Sequence, residues 1–282
     1  MRSLHAALAA LLLCSLAAAQ GAENDKIWSD FMDWAKTQSG GLVIANYRAR
    51  LIANGLPAAE AEQRIALIPK LYSQNSEYRQ QMEALTFNKT FRDPNQTTFN
   101  TEPSAFLVSV TKALKPGTAL DVAMGQGRNA VYLASKGWEV TGFDIAEDGL
   151  KLANQNASKA SVRITTTKAR IEDFDYGKER WDLICLIYVN VPFVDPTFIA
   201  RIKDALKPGG VVLIDQPFRS LTAPEPGWPE TEQDKPGALP KAWAEFKVLS
   251  YEDTTGTADW QQTATPRLEY KARIVHMLAR KP

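Results

Sequence analysis

The sequence predicts an α/β protein: a doubly wound, mostly parallel seven-stranded sheet carrying an α-helical N-terminal extension. Three observations predict it. From about Phe99 onward, short apolar runs alternate with segments of helical period, the pattern of parallel strands joined by crossover helices. The first of those runs leads into a glycine-rich turn, Gly125-Gln-Gly127, that opens a helix. Before Phe99 the period is helical throughout.

In the extension, Ile27, Trp28, Phe31, Met32 and Trp34 recur at the spacings of an amphipathic helix. Gly40-Gly41 breaks it, and Leu42 to Ala53 reads as a second helix capped by Asn54-Gly55. Pro57 opens a third, running to Ile68, and Pro69 a fourth, reaching Leu85. In the sheet, strand one is Ala119–Ala123, strand two Glu139–Asp144, strand three Val162–Thr166 and strand four Trp181–Ile187. Helices fall at Arg128–Lys136, Glu147–Ala157 and Asp195–Leu206. Lys207-Pro-Gly-Gly210 then turns the chain into strand five, Val211–Asp215. Phe246–Tyr251 and Tyr270–Ala279 close the sheet as strands six and seven. Residues 217–240 hold six prolines and read as a loop covering the substrate side.

The 282 residues suit one domain with an appendage, here 23–98 followed by 99–282. A net charge of +1, with no basic run interleaved with aromatics, argues against a nucleic-acid partner. Residues 1–19 have the form of a secretory signal: Arg2, an Ala/Leu-rich run, then Ala17-x-Ala19 before Gln20. An exported protein is therefore expected. A start placed too early, or a packed N-terminal helix in a cytoplasmic protein, is the alternative. Removal of that segment leaves Cys185 as the one cysteine, so no internal disulfide is expected. No membrane association of the mature chain is expected, and the sequence is silent on oligomeric state.

The turn after strand one carries the chemistry. Free N–H groups and a positive helix end face whatever binds there, and Gly125 and Gly127 let the backbone approach it. Read literally, Gly125-Gln-Gly127-Arg-Asn-Ala130 also satisfies the dinucleotide fingerprint, which keeps an NAD(P)-dependent oxidoreductase open. Asp121, inside the strand, argues the other way: a carboxylate there suits the cationic amino group of a methionine moiety and repels a pyrophosphate. Asp144, ending strand two, can accept hydrogen bonds from ribose hydroxyls in either case.

The run Leu120-Asp-Val-Ala-Met-Gly-Gln-Gly-Arg-Asn-Ala-Val-Tyr-Leu-Ala134 resembles the first motif of class I S-adenosylmethionine (SAM) methyltransferases, which have a Rossmann-like fold. Its ending is closest to the tellurite-resistance-type, small-molecule branch. Val140–Asp144 resembles the second motif, and Ala205–Leu213 the segment leading into strand five. The resemblance implies SAM as cofactor and transfer of its methyl group to a small-molecule acceptor. It implies that Asp121, Ala123, Gly125, Gly127 and Asn129 hold the methionine end. Asp144 and Ile145 then hold the ribose side, the Ile171 backbone with Glu172 or Asp173 the adenine, and Ile187 lines the methyl-transfer site. The family's first glycine is Ala123 here, which fits if its φ is negative. Asn100–Leu107 resembles the segment that closes over the cofactor.

For catalysis, Tyr188 and Asn190 are best placed, just past strand four. His276, in the last strand, reads as a packed strand residue, and Cys185, Trp138 and Trp181 as core. No Cys/His/Asp cluster has metal-ligand spacing, so no metal is expected. The absence of an evident base leaves a non-catalytic SAM-binding protein as a further alternative.

Overall fold

The computed structural model describes residues 2–38, 44–92, 98–220, 231–258, 261–262 and 271–282, with side chains described from residue 18 onward except at 98, 219–220 and 261–262. The chain divides into two compact units, Met1–Lys89 and Thr90–Pro282.

The first unit is helical: α1 (Arg2–Thr37), α2 (Ile44–Ala53), α3 (Ala58–Gln74) and α4 (Ser76–Arg92), whose last residues already belong to the second unit. The aromatic stripe of α1 forms its core. Trp28 stacks on Tyr78 at 4.6 Å, and Phe31 and Trp34 pack on the fully buried Tyr47. Asp30 ties α1 to α2, accepting from the Tyr47 hydroxyl at 2.8 Å and from Arg50 at 2.9 and 3.1 Å. No helix is long and apolar enough to cross a membrane among the described residues. The expected break at Gly40-Gly41 lies outside them.

One boundary differs. Pro69 does not open a helix; it sits inside α3. The missing N–H of a proline removes one helical bond, but Ile68 and Leu71 continue the buried stripe across it. The break falls at Asn75, which is extended. Its side-chain oxygen accepts the Glu77 and Tyr78 N–H groups at 2.9 and 3.4 Å, as an N-cap does.

The second unit holds the sheet. A short pair, β1 (Thr98–Phe99) with β8 (Gln261–Gln262), lies apart from it. After β1 come α5 (Ala105–Thr111), β2 (Thr118–Val122), α6 (Arg128–Ser135), β3 (Glu139–Asp144), α7 (Glu147–Lys159) and β4 (Thr165–Lys168). Then follow β5 (Trp181–Ile187), α8 (Pro196–Ala205), β6 (Leu206–Ser220), α9 (Ala238–Ala242), β7 (Lys247–Thr257) and β9 (Lys271–Arg280). The seven strands run in the order β4-β3-β2-β5-β6-β9-β7, parallel except for β9 and β7. This is the seven-stranded, doubly wound architecture expected, and strands two and four have the expected bounds. Strand three starts later than expected. Ser161 takes φ +55° and the Val162 N–H returns to the Ala157 carbonyl, so these residues end α7 instead of entering the sheet.

The central strands are apolar on both faces, as a sheet covered by helices on both sides requires. Cys185 is fully buried, Trp181 and Trp138 nearly so, and Trp243 donates from inside the core to the Phe193 carbonyl at 2.8 Å. Strand order reverses between β2 and β5. Their carboxyl ends therefore open the crevice in which such sheets bind ligands.

Candidate active site

Three alternate residues of the turn after β2 have positive φ: Ala123 at 53°, Gly125 at 53° and Gly127 at 77°. The expectation of a negative φ at Ala123 is corrected. Its Cβ is held in a conformation that costs a non-glycine residue roughly 1–2 kcal/mol. Ala123→Gly is therefore expected to stabilise the fold by about 0.5–1 kcal/mol, after the entropy gained by the unfolded chain is deducted; a denaturant titration reads it. At Gly127 space decides as well, because a Cβ would stand 2.8 Å from the Ala153 methyl.

The turn is held from beneath by Asp144. Its two oxygens accept the N–H groups of Gly125 and Ala146, each at 2.8 Å. Burial raises the pKa of this carboxyl, and the N–H groups of Ala146, Gly125 and Ile145 pull against the rise. Asp121 is 2% exposed, and its Oδ2 has no hydrogen-bond partner in the protein. Burial pushes its pKa up to about 7 against the opposing pull of Arg128 and the Ala130 N–H, with the nearby Asp144 adding to the rise.

Arg128 is the residue sequence reasoning missed. It begins α6, lies over the Tyr188 ring at 5.3 Å, and donates to the Glu102 carbonyl at 2.8 Å. Its neighbours do the same for the lead-in segment. Gln126 donates to the Phe99 and Asn100 carbonyls at 3.0 and 3.1 Å, and Asn129 accepts the Ser104 N–H at 3.0 Å. Ser104 in turn caps α5 and donates to Asp215 at 2.6 Å. The segment at 100–107 is thus laced to the turn, side chain by side chain.

The residues expected past β5 part company. Tyr188 takes φ +53° and packs beside Arg128, whereas Asn190 opens onto a cavity of about 370 Å³ shared with Val191, Pro192, Val194, Thr231, Glu232 and Gln233. A non-glycine residue at positive φ, at a strand end facing a ligand crevice, is strain of the kind functional sites keep. Ile187 is buried and Ile145 half-buried. In the adenine segment, Ile171 is half-buried and Glu172 exposed, while Arg170 is bound to Asp173. The middle of the expected covering loop, 221–230, lies outside the described residues.

His276 stands in β9 in register with Asp215 of β6 and Glu252 of β7, forming a carboxylate–imidazole–carboxylate row across three strands. Its Nε2 is 3.3 Å from Asp215, its Nδ1 3.6 Å from Glu252, and its ring stacks on Phe106 at 4.8 Å. The bond to Asp215 raises its pKa, burial opposes, and Glu252 adds to the rise. A raised histidine contributes stability in full below pH 6.5, and the contribution disappears as pH rises through the folded value. His276→Gln is therefore expected to flatten the stability–pH curve above pH 6.5; proton NMR, with only two histidines in the chain, reads the titration directly. Among the described residues no group of three or more His, Cys, Asp or Glu is placed to hold a metal ion.

A doubly wound sheet of this order, with a glycine turn bracketed by one carboxylate inside β2 and another ending β3, gives the second unit the Rossmann-like fold of methyltransferase domains. Comparison with known proteins places it further. Residues 119–210 match the methyltransferase domain family. The probable S-adenosyl-L-methionine-dependent methyltransferase TehB of Haemophilus influenzae is 27% identical over 179 residues, 62% of this chain and 61% of that protein. A ubiquinone biosynthesis O-methyltransferase of Dinoroseobacter shibae is 30% identical over 148 residues, covering 52% of this chain and 54% of that one. The crystal structure of Haemophilus influenzae TehB superposes with a TM-score of 0.51 at 25% identity, over 64% of this chain and 62% of that one. Over residues 119–210 the chain is therefore similar to methyltransferase domains, and over a longer stretch to TehB. It spans about 61% of the length of its TehB relatives.

Proposed function

We propose that the protein binds SAM at the turn after β2 and transfers its methyl group to a small-molecule acceptor seated past the end of β5. The observation that carries this is the buried, unpartnered Oδ2 of Asp121 beside Arg128. A carboxylate with a guanidinium nearby complements the ammonium and carboxylate of an amino-acid end, whereas the buried carboxylate would repel a pyrophosphate. Asn129 lies in the same turn; Asp144 and Ile145 face the ribose, and Ile171 and Glu172 flank the adenine. When bound, SAM supplies a methyl group already activated by its sulfonium.

The protein's own part is then to position the acceptor and to exclude water. Ile187 closes the floor, Tyr188 and Asn190 are the acceptor-side contacts, and the laced lead-in segment covers the turn. The cavity at Asn190 has the size of a small-molecule site, and the name of the Haemophilus influenzae relative supports the reaction class. Calorimetry with SAM, S-adenosylhomocysteine and NAD tests the reading. Binding of the first two and not the third is expected, and binding of NAD alone would overturn it. Release of S-adenosylhomocysteine across thiol, amine, carboxylate and oxyanion panels then identifies the acceptor.

We further propose that residues 1–19 direct export, on the strength of the Ala/Leu-rich run ending in Ala17-x-Ala19. A reporter fused after residue 22 should leave the bacterial cytoplasm; its retention there as an intact fusion would sink this proposal.

A further inference from the structure

We propose that Phe91 is a wall of the cofactor site, flanking its nucleoside half, and that position 149 is glycine in order to admit the ring. The inference rests on the reading of the β2 turn as the SAM cradle.

Phe91 is the penultimate residue of α4 and lies within the second unit. Its ring rests against two positions that lack a Cβ. A Cβ on Gly125 would stand 3.1 Å from its Cζ, and a Cβ on Gly149 2.9 and 3.0 Å from its Cε2 and Cδ2. The same Cβ on Gly149 would come within 3.2 Å of the Gly125 carbonyl oxygen. The ring therefore spans the cofactor turn and the opening of α7.

Gly149 is the informative partner. Unlike Gly125 and Gly127, it is not among the residues of positive φ, and it lies inside a helix, where glycine is about 1 kcal/mol worse than alanine. The φ angle therefore does not call for glycine at this position; the space does, taken up first by the Phe91 ring and then by the Gly125 carbonyl. The placement is also held from the sides. Arg92, the next residue, pairs with Asp148, the neighbour of Gly149, and the Phe99 ring lies 5.3 Å from that of Phe91. Phe99 is fixed in turn by its carbonyl bond to Gln126 of the cofactor turn.

Position relative to the cofactor follows from Asp144. The N–H of Gly125, the glycine the ring touches, is bound to the Asp144 carboxylate assigned to the ribose. An apolar ring beside that carboxylate gives the sugar and base a dry flank, which strengthens the polar contacts made there. The amino-acid end, at Asp121 and Arg128, lies on the other side of the turn, toward β5.

The test measures binding of S-adenosylhomocysteine and of 5′-methylthioadenosine, which lacks the amino-acid end, together with unfolding in the absence of ligand. Phe91→Ala is expected to weaken both ligands by the same factor, about tenfold for the loss of one aromatic contact and its desolvation. Phe91→Ala with Gly149→Leu, which refills the slot from the other side, should regain most of that loss. Gly149→Leu alone should weaken binding by driving the ring away. Should Phe91→Ala fail to fold, Phe91→Leu carries the same comparison with a smaller loss. Affinity within twofold of the wild type would mean that the ring only fills a gap, and tighter binding would mean that it obstructs the site; either overturns the proposal. Wild-type protein that binds neither ligand would instead remove the cofactor reading, and this inference with it.

Discussion

Asp121→Asn is expected to make the protein more stable at pH 8 and nearly unable to bind SAM. The two effects have one cause. Burial raises the Asp121 carboxyl from 3.8 to about 7, so the folded protein holds a proton there that the unfolded chain has released. The sign follows: the contribution of such a group to stability is present in full below pH 3.8 and is lost as pH rises through 7. At pH 8 the free protein carries a buried carboxylate with one oxygen unpartnered, at a penalty on the order of 4 kcal/mol. Asparagine removes the penalty, less whatever its amide leaves unpaired, so a gain of roughly 1–3 kcal/mol is expected at pH 8 and none at pH 4.

The ligand's ammonium is what that penalty serves. As the pH falls below 7 and Asp121 takes up its proton, SAM affinity of the wild type should drop about tenfold for every tenfold rise in proton concentration. It should fall again above roughly pH 8, where an α-amino group loses its own proton. In Asp121→Asn the acidic limb disappears and affinity at pH 7.5 drops at least about a hundredfold, as for a buried charge pair stripped of one partner. An acidic limb that persists in the variant would assign it to another group.

Much of the sheet was legible in the residues because its signals are local. β5 is a short apolar run and β3 an alternating one bounded by Gly137 and Asp144, and period and punctuation give their ends. The start of β4 was not legible, because the competition there is between a helix C-terminus and strand pairing, and the backbone at Ser161 decides it. Pro69 misled for a related reason: a proline weakens a helix by one bond, and a buried stripe on both sides outweighs that.

At the site, the β2 turn and Asp144 are joined through the Gly125 N–H. What the sequence withheld is contact between segments distant in the chain. Ser104 meets Asp215 across 111 positions, and Phe91 meets Gly149 across 58. Ala123 shows the other limit. A glycine replaced by the smallest side chain reads as benign until the φ angle is known, and the angle proves to be positive.

Asp144→Ala is expected to damage both the turn and the ligand site. In the free protein the carboxylate already works as a structural acceptor, taking the Gly125 and Ala146 N–H groups, and it is 7% exposed. Truncation leaves two N–H groups at the floor of the crevice without an acceptor, at about 1–3 kcal/mol each where water cannot reach them. A loss of roughly 2–4 kcal/mol in unfolding free energy follows. Ligand affinity falls for a second reason, since hydrogen bonds from ribose hydroxyls to a charged acceptor are worth about 1.5–3 kcal/mol each. Two such bonds correspond to at least a hundredfold in Kd for S-adenosylhomocysteine.

Asp144→Asn separates the two contributions. It keeps the shape but turns one acceptor into a donor facing a backbone N–H, so it should lose nearly as much stability as alanine while retaining one contact to the sugar. Calorimetry paired with denaturant unfolding reads both quantities. If Asp144→Ala unfolds more easily yet binds S-adenosylhomocysteine as tightly as the wild type, the carboxylate is a brace for the turn alone, and the ribose lies elsewhere.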